Sequence, residues 1–304
     1  MHRRRLTRRA AVLSGLAAAA CAPAPAAKVE PSDDRQLFFS GHAREIEARV
    51  GGRMGVAAWN TATGAWLTHR AQERFAMCSM FKWMLAAQVL QMSEHSPDLL
   101  DQHVRYSAAY LANLGHTPST TANLARGWMT VRELCEAAVT QSDNGAANLL
   151  LEGGMGPEGL TRFLRANGDS VTRLDRNEMA LNENLPGDER DTTTPEAMAR
   201  TMIRFCTTNE VLSAASRETL IGWLVANQTG APRLRAGLPA TWRAGDKTGT
   251  GGGEHNATTD VAIAWPPGRA PIVIACFLSE STVDADARNA AHADVARIVA
   301  QTWS

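Results

Sequence analysis

From Ser79 to Leu90 almost every position is apolar, and neither Gly nor Pro occurs before Pro97. A helix that is hydrophobic all round belongs in a protein interior, so this run predicts a buried helix opened by Ser79 as a cap or first-turn residue. Upstream, 33–50 has helical periodicity, with Phe38, Phe39, Ile46 and Val50 as candidates for its buried side. Short β-rich runs at 54–60 and 65–71 flank Thr61-Ala62-Thr63-Gly64, a hairpin signature. Helical patterns dominate 79–227, notably 131–141, 146–151, 157–166, 195–207 and 214–226. Strand character returns at 242–250, 259–265 and 271–278, and an amphipathic helix closes the chain over 286–303. Strands from both ends are expected to share one sheet flanked by the N- and C-terminal helices, with the helical middle inserted. The expected architecture is α/β plus all-α: an α/β subdomain of 27–78 and 228–304, and a helical subdomain of 79–227.

The first 26 residues read as an export signal and not as fold. Arg3, Arg4, Arg5, Arg8 and Arg9 precede the largely apolar run 10–20, followed by Cys21-Ala22-Pro23-Ala24-Pro25-Ala26. Eleven residues are too few to span a bilayer. Thr7-Arg8-Arg9 resembles a twin-arginine signal without its usual aromatic residue. A lipid anchor on Cys21 is the weaker alternative to simple cleavage, because Ala18-Ala19-Ala20 is a poor lipoprotein box. The expected location is periplasmic or secreted.

Cleavage would remove five of the 31 basic side chains and none of the 31 acidic ones, leaving 26 against 31, a formal charge of −5. That balance argues against nucleic-acid or anionic-membrane partners, and no later segment is long or apolar enough for a membrane span. Cys78, Cys135, Cys206 and Cys276 lack Cys-x-x-Cys spacing and leave their pairing open, and the eight histidines show no His-Glu-x-x-His. Neither a metal nor another cofactor is expected.

Lysine usage points to chemistry. Of the 31 basic side chains only Lys28, Lys82 and Lys247 are lysines. Arginine serves wherever a general positive charge suffices, but it cannot give up its proton. Lys82 stands three residues after Ser79, one helical turn away on the same face. A desolvated lysine can take a proton from a serine, which is a poor nucleophile without a base. Ser142-Asp143-Asn144 would also serve as an N-cap cluster for a helix over 144–151. Lys247-Thr248-Gly249-Thr250 ends a strand that enters a glycine run, and Arg176-Asn177-Glu178-Met179-Ala180-Leu181-Asn182 lies in a polar loop that continues to Asp191.

Taken together and in this order, these segments resemble the class A serine β-lactamases, over about 35–303. The resemblance implies an antiparallel sheet with an inserted helical subdomain, and a monomeric, cofactor-free enzyme. It implies hydrolysis of penicillins and cephalosporins through a serine acyl-enzyme, and hence antibiotic resistance. It assigns Ser79 as nucleophile, Lys82 and Glu178 as alternative acylation bases, and Ser142 as the donor to the departing ring nitrogen. Backbone N–H groups of Ser79 and Thr250 would form the oxyanion hole. Asn144 would bind the substrate's side-chain amide, while Lys247, Thr248, Gly249 and Thr250 would face its carboxylate. Glu178 with Asn182 would hold the hydrolytic water, and an Arg176–Asp191 pair, expected to be exposed, would brace their loop. Arg233 is the candidate arginine for the carboxylate and His116 the candidate at the cleft rim. A penicillin-binding DD-peptidase or transpeptidase would share the triplets without needing Glu178 and Asn182; a non-catalytic β-lactam sensor would acylate and remain acylated.

In carbapenem-hydrolysing relatives a cysteine at the position of Cys78 pairs with one two residues after the Lys-Thr-Gly triplet. Gly251 occupies that place here, so Cys78 is expected to be a small buried thiol.

Overall fold

A computed structural model describes residues 34–303; the leader, Cys21 and the Thr7-Arg8-Arg9 motif lie outside the described residues. Five strands form one antiparallel sheet: β1 (Arg53–Asn60), β2 (Trp66–His69), β3 (Arg243–Gly251), β4 (Ala257–Trp265) and β5 (Ile272–Ser279), in the order β2-β1-β5-β4-β3. Strands from the two ends of the chain meet where β1 pairs with β5, Val56 opposite Cys276. β4 starts two residues earlier than the apolar pattern predicts, because Ala257 and Thr258 pair with Gly251 and Thr250 across the ladder. β3 is an edge strand, and an edge presents backbone donors and acceptors to whatever lies beside it.

Both faces of the sheet are covered, so β5 reads as a continuous apolar run with its side chains divided by the pleat. Ile274, Cys276 and Leu278 pack under the terminal helices Asp34–Val50 and Ala285–Thr302 with Phe39, Ile46, Val295 and Val299. Val273, Ala275 and Phe277 face the other layer, with Phe75, Phe81 and Phe205. The N-terminal helix buries Phe39, Ala43, Ile46 and Val50, a spacing of three and four. Phe38 is therefore rotated off that stripe; it is 46% exposed with its ring tilted against that of His42, contrary to the sequence expectation.

The helices between β2 and β3 surround helix Phe81–Ser93, whose residues Phe81 to Leu90 are all buried, Lys82 included. Ser79 lies in the 3-10 turn Cys78–Met80 just before it. Met80 occupies the cap position of the helix and no side chain caps it, so Ser79 neither caps the helix nor lies in its first turn but in the 3-10 turn leading into it. Gly249 lets β3 close on this turn: a Cβ there would stand 2.4 Å from the Met77 carbonyl oxygen. We propose the subdomain division of 27–78 with 228–304 and 79–227 on the layering of its described part, 27–33 and 304 lying outside the described residues. Among the described residues no helix is long and apolar enough to cross a membrane.

Candidate active site

An open cavity of about 380 Å³ lies between the edge of β3 and the helical layer. Ser79, Ser142, Asn144, Asn182, Thr248 and Thr250 line it, with His116, Arg233 and Gly249. Lys82, Glu178 and Lys247 sit buried behind this lining. A groove of about 430 Å³ beside Trp59, Arg200 and Arg204 contains none of these residues.

The Ser79 hydroxyl is held from two sides. Its Oγ accepts from Lys82 Nζ at 2.9 Å and donates to Glu178 Oε1 at 3.0 Å. Lys82 Nζ also stands 2.9 Å from Glu178 Oε1 and donates to the Ser142 carbonyl at 2.8 Å and Asn144 Oδ1 at 2.6 Å. Four oxygens compete for at most three N–H groups. Burial pushes the Lys82 ammonium below its ordinary range, against the charge of Glu178. Burial would raise Glu178, but the Lys82 charge and the hydrogen bonds from Lys82, Asn182 and Ser79 outweigh it and hold the carboxyl below its usual value. The pair thus combines an ionised carboxylate with an amine made easier to deprotonate.

Ser142 joins the two lysines. Its carbonyl serves Lys82, and its Oγ accepts from Lys247 Nζ at 3.0 Å. The residue has φ +58, a left-handed conformation unusual outside glycine. Asp143 fixes the local fold: its Oδ1 accepts the Ala146 N–H at 2.8 Å as cap of helix Asn144–Gly153, and both carboxylate oxygens bind the Thr120 hydroxyl. Asn144 Nδ2 donates to the Leu114 carbonyl at 2.7 Å, and its N–H to that of His116 at 2.8 Å, which ties the His116 loop to the cavity. His116 itself is exposed, with Nε2 at 2.9 Å from the Gln141 carbonyl.

On the opposite wall, burial and the nearby Lys82 charge push Lys247 well below its ordinary value. Arg233 is only 8% exposed and so is no surface arginine. Its guanidinium donates to the Gly249 and Thr259 carbonyls at 2.8 Å each, to Thr250 Oγ1 at 2.7 Å and to Asn289 Oδ1 at 2.9 Å. Burial lowers its pKa, with Asp260 and Asp246 opposing.

The loop carrying Glu178 departs from expectation in one respect. The Arg176–Asp191 pair is largely buried, with side chains 14% and 1% exposed and Nε 2.5 Å from Oδ2. Asp191 Oδ1 also accepts the backbone N–H groups of Asp175 and Arg176 at 2.7 and 3.0 Å. Asn182 Nδ2 donates to Glu178 Oε2 at 2.6 Å. Asn148, absent from the sequence reading, clasps the Glu178 backbone on both sides: Oδ1 accepts its N–H at 3.0 Å and Nδ2 donates to its carbonyl at 2.9 Å. The signal was a lone amide inside the apolar stretch 146–151. Thr229 and Met179 also line the cavity unforeseen, Thr229 Oγ1 lying 2.6 Å from Thr248 Oγ1.

Cys78 is a buried free thiol that burial pushes up to about 12, and Cys135, Cys206 and Cys276 are free and buried as well. A Cβ on Gly251 would stand 3.0 Å from Cys78 Sγ, so the two positions face each other without a disulfide. Among the described residues no group of three or more His, Cys, Asp and Glu side chains is placed to hold a metal ion.

A serine hydroxyl between an amine and a carboxylate, on the wall of an open cavity, defines a class: enzymes that pass an acyl group through a serine ester. The Beta-lactamase enzyme family model matches residues 40–303. The chain is 49% identical over 255 residues to β-lactamase AST-1 of Nocardia asteroides, covering 84% of this chain and 80% of that one. It is 44% identical over 254 residues to the carbapenem-hydrolysing β-lactamase KPC of Klebsiella oxytoca, covering 84% and 85%. Among solved structures, the ancestral (GNCA) class A β-lactamase matches at 55% identity and a TM-score of 0.83, over 86% of this chain and 99% of that one. The putative class A enzyme PenP of Rhodopseudomonas palustris matches at 46% and 0.83, over 86% and 98%. The chain belongs to the class A serine β-lactamases.

Proposed function

We propose that this enzyme hydrolyses the β-lactam ring of penicillins and cephalosporins through an ester on Ser79, and so confers antibiotic resistance. Ser79 Oγ attacks the lactam carbonyl while its proton passes to Lys82 or Glu178, both within hydrogen-bond reach. The backbone N–H groups of Ser79 and Thr250 receive the developing oxyanion; one such donor is typically worth about a hundred- to thousand-fold in rate. Ser142, held by Lys247, gives a proton to the ring nitrogen as the C–N bond breaks. Water activated by Glu178 then opens the ester and regenerates Ser79. Thr248, Thr250, Lys247 and Arg233 bind the substrate carboxylate, Gly249 keeps the strand close, Asn144 takes the side-chain amide, and His116 stands at the rim.

The observation that carries this reading is the carboxylate of Glu178 on Ser79 Oγ with Asn182 on its other oxygen. Asn182 Oδ1 is buried and takes no hydrogen bond from the protein, so it supports the role of second anchor for a water. Acylation alone, as in a transpeptidase or a sensor, has no use for that arrangement. We propose further that the enzyme acts as a monomer without nucleic-acid partners, and that it is exported to the periplasm or secreted after cleavage near residue 26. Turnover of benzylpenicillin at a ratio of many substrates per enzyme supports the hydrolase; one equivalent consumed, with a stable adduct, would make it a penicillin-binding peptidase or sensor.

A further inference from the structure

We infer that the groove beside Trp59, Arg200 and Arg204 is a second ligand site, separate from the catalytic cavity, and that it takes a neutral, polyhydroxylated molecule of the size of a disaccharide. Binding there is independent of the hydrolase reading. The groove holds about 430 Å³, within the range of about 300–1,000 Å³ usual for small-molecule sites. It lies between the two legs of the Glu178 loop, the segment 167–171 that leads in and helix Pro195–Thr207 that follows. Buried contacts set its shape: Asp169 Oδ1 accepts the N–H groups of Val171 and Thr172 at 2.9 and 2.8 Å, and Oδ2 accepts from Thr201 Oγ1 at 2.7 Å. Gly168, at φ +87, leaves room for Arg204, since a Cβ there would stand 1.7 Å from Nη1.

The chemistry of the lining selects the ligand. Arg200 and Arg204 are matched by Glu196 and Glu210, at 2.6 and 3.2 Å, while Asp169 has its oxygens committed to the chain. A charged ligand would meet a like charge beside each opposite one, whereas hydroxyl groups can accept from the guanidinium groups and donate to the carboxylates. Gln72, Asn167 and Ser170 add amide and hydroxyl groups with the same double capacity. Trp59 lines the same groove, partly exposed, opposite Trp66 across the β1–β2 ladder with ring centroids 4.5 Å apart. Tryptophan offers a broad apolar face and one N–H, and the C–H face of a sugar ring suits the first. Trp59 Nε1 is buried without a hydrogen-bond partner among the described residues, although buried donors are normally paired. The Arg200 guanidinium lies over the rings of Trp59 and Trp66, 5.4 and 4.7 Å from their centroids, on a side chain that is 53% exposed and free to lift as a ligand enters beneath it.

The test is NMR of the isotope-labelled enzyme titrated with two neutral disaccharides, N,N′-diacetylchitobiose and cellobiose, and with digalacturonic acid as the charged comparator. At least one neutral disaccharide should shift the Trp59 indole N–H and the amides of 167–171 saturably, with a Kd of about 1 mM. Digalacturonic acid should bind more weakly. Trp59→Leu and Arg204→Ala should each weaken binding about tenfold. Arg204→Ala changes an arginine at the surface, so it keeps the test open should Trp59→Leu fail to fold. Its kcat/KM for benzylpenicillin should stay within about twofold of wild type, which separates this groove from the catalytic cavity. The inference is overturned if neither neutral disaccharide gives saturable shifts up to about 20 mM, if the shifts fall only in the catalytic cavity, if Arg204→Ala binds as wild type does, or if digalacturonic acid binds more tightly.

Discussion

Replacing Asp191 by alanine should damage this enzyme well beyond what an exposed ion pair would suggest. Exposed pairs are usually worth under about 1 kcal/mol. Here the carboxylate is buried, pairs with Arg176 and receives two backbone N–H groups from the segment leading to Glu178. Removing one partner of a buried pair typically costs about 3–5 kcal/mol, and each buried donor left unsatisfied about 1–3 kcal/mol. These contributions overlap, and Arg176 keeps Glu183 at 2.6 Å, so a net loss of about 3 kcal/mol is expected. For a domain of this size that corresponds to a fall in Tm of about 6–12 °C. Thermal unfolding followed by circular dichroism measures it, provided unfolding is reversible. Asp191→Asn keeps an acceptor for the backbone N–H groups and should lose less. Because the same oxygen fixes the chain two residues before Glu178, kcat should also fall through slower deacylation. An Asp191→Ala enzyme with Tm within about 2 °C of wild type and unchanged kcat would refute the structural role given to the pair.

Two further substitutions address the site itself. Asn182→Ala removes one of the hydrogen bonds that, after the Lys82 charge, hold the Glu178 carboxyl below its ordinary 4.5. Its pKa should rise, so the acidic limb of the kcat profile should move to higher pH; a limb that stays in place would separate Asn182 from the titration of Glu178. Arg233→Lys keeps a charge but loses the fork that reaches Gly249, Thr259 and Thr250, and should raise KM for benzylpenicillin about tenfold, with kcat changed much less. An unchanged KM would place Arg233 in support of the strand alone.

The features legible in the sequence were those set by local pattern. The all-apolar run after Ser79 marked the central helix, and Thr61-Ala62-Thr63-Gly64 marked the turn between β1 and β2. Sparing use of lysine drew attention to Lys82 and Lys247, which the fold brings to Ser142 from opposite sides. What stayed hidden depends on contacts between distant parts of the chain. Asn148 reaches Glu178 across 30 positions, and the lone amide in the apolar stretch 146–151 marks the residue without naming its partner. The burial of Asp191 follows from the loop folding back on Arg176, whereas the run of acids around it reads as solvated surface. Phe38 and Phe39 are indistinguishable by composition; the choice between them is made by one step of 100° around the helix. Met179 was overlooked for a related reason, since an apolar residue in a polar loop points inward until a cavity is known to face it.

The role of Glu178 is tested most directly by mixing wild-type enzyme and Glu178→Gln separately with excess benzylpenicillin, following lactam absorbance together with intact protein mass. Wild type should consume the lactam catalytically and end largely unmodified. The variant should gain the mass of one penicillin, localised to the peptide bearing Ser79, and release it slowly. A Glu178→Gln enzyme that turns over at the wild-type rate without accumulating that adduct would contradict the assignment of Glu178 as the group that activates the hydrolytic water.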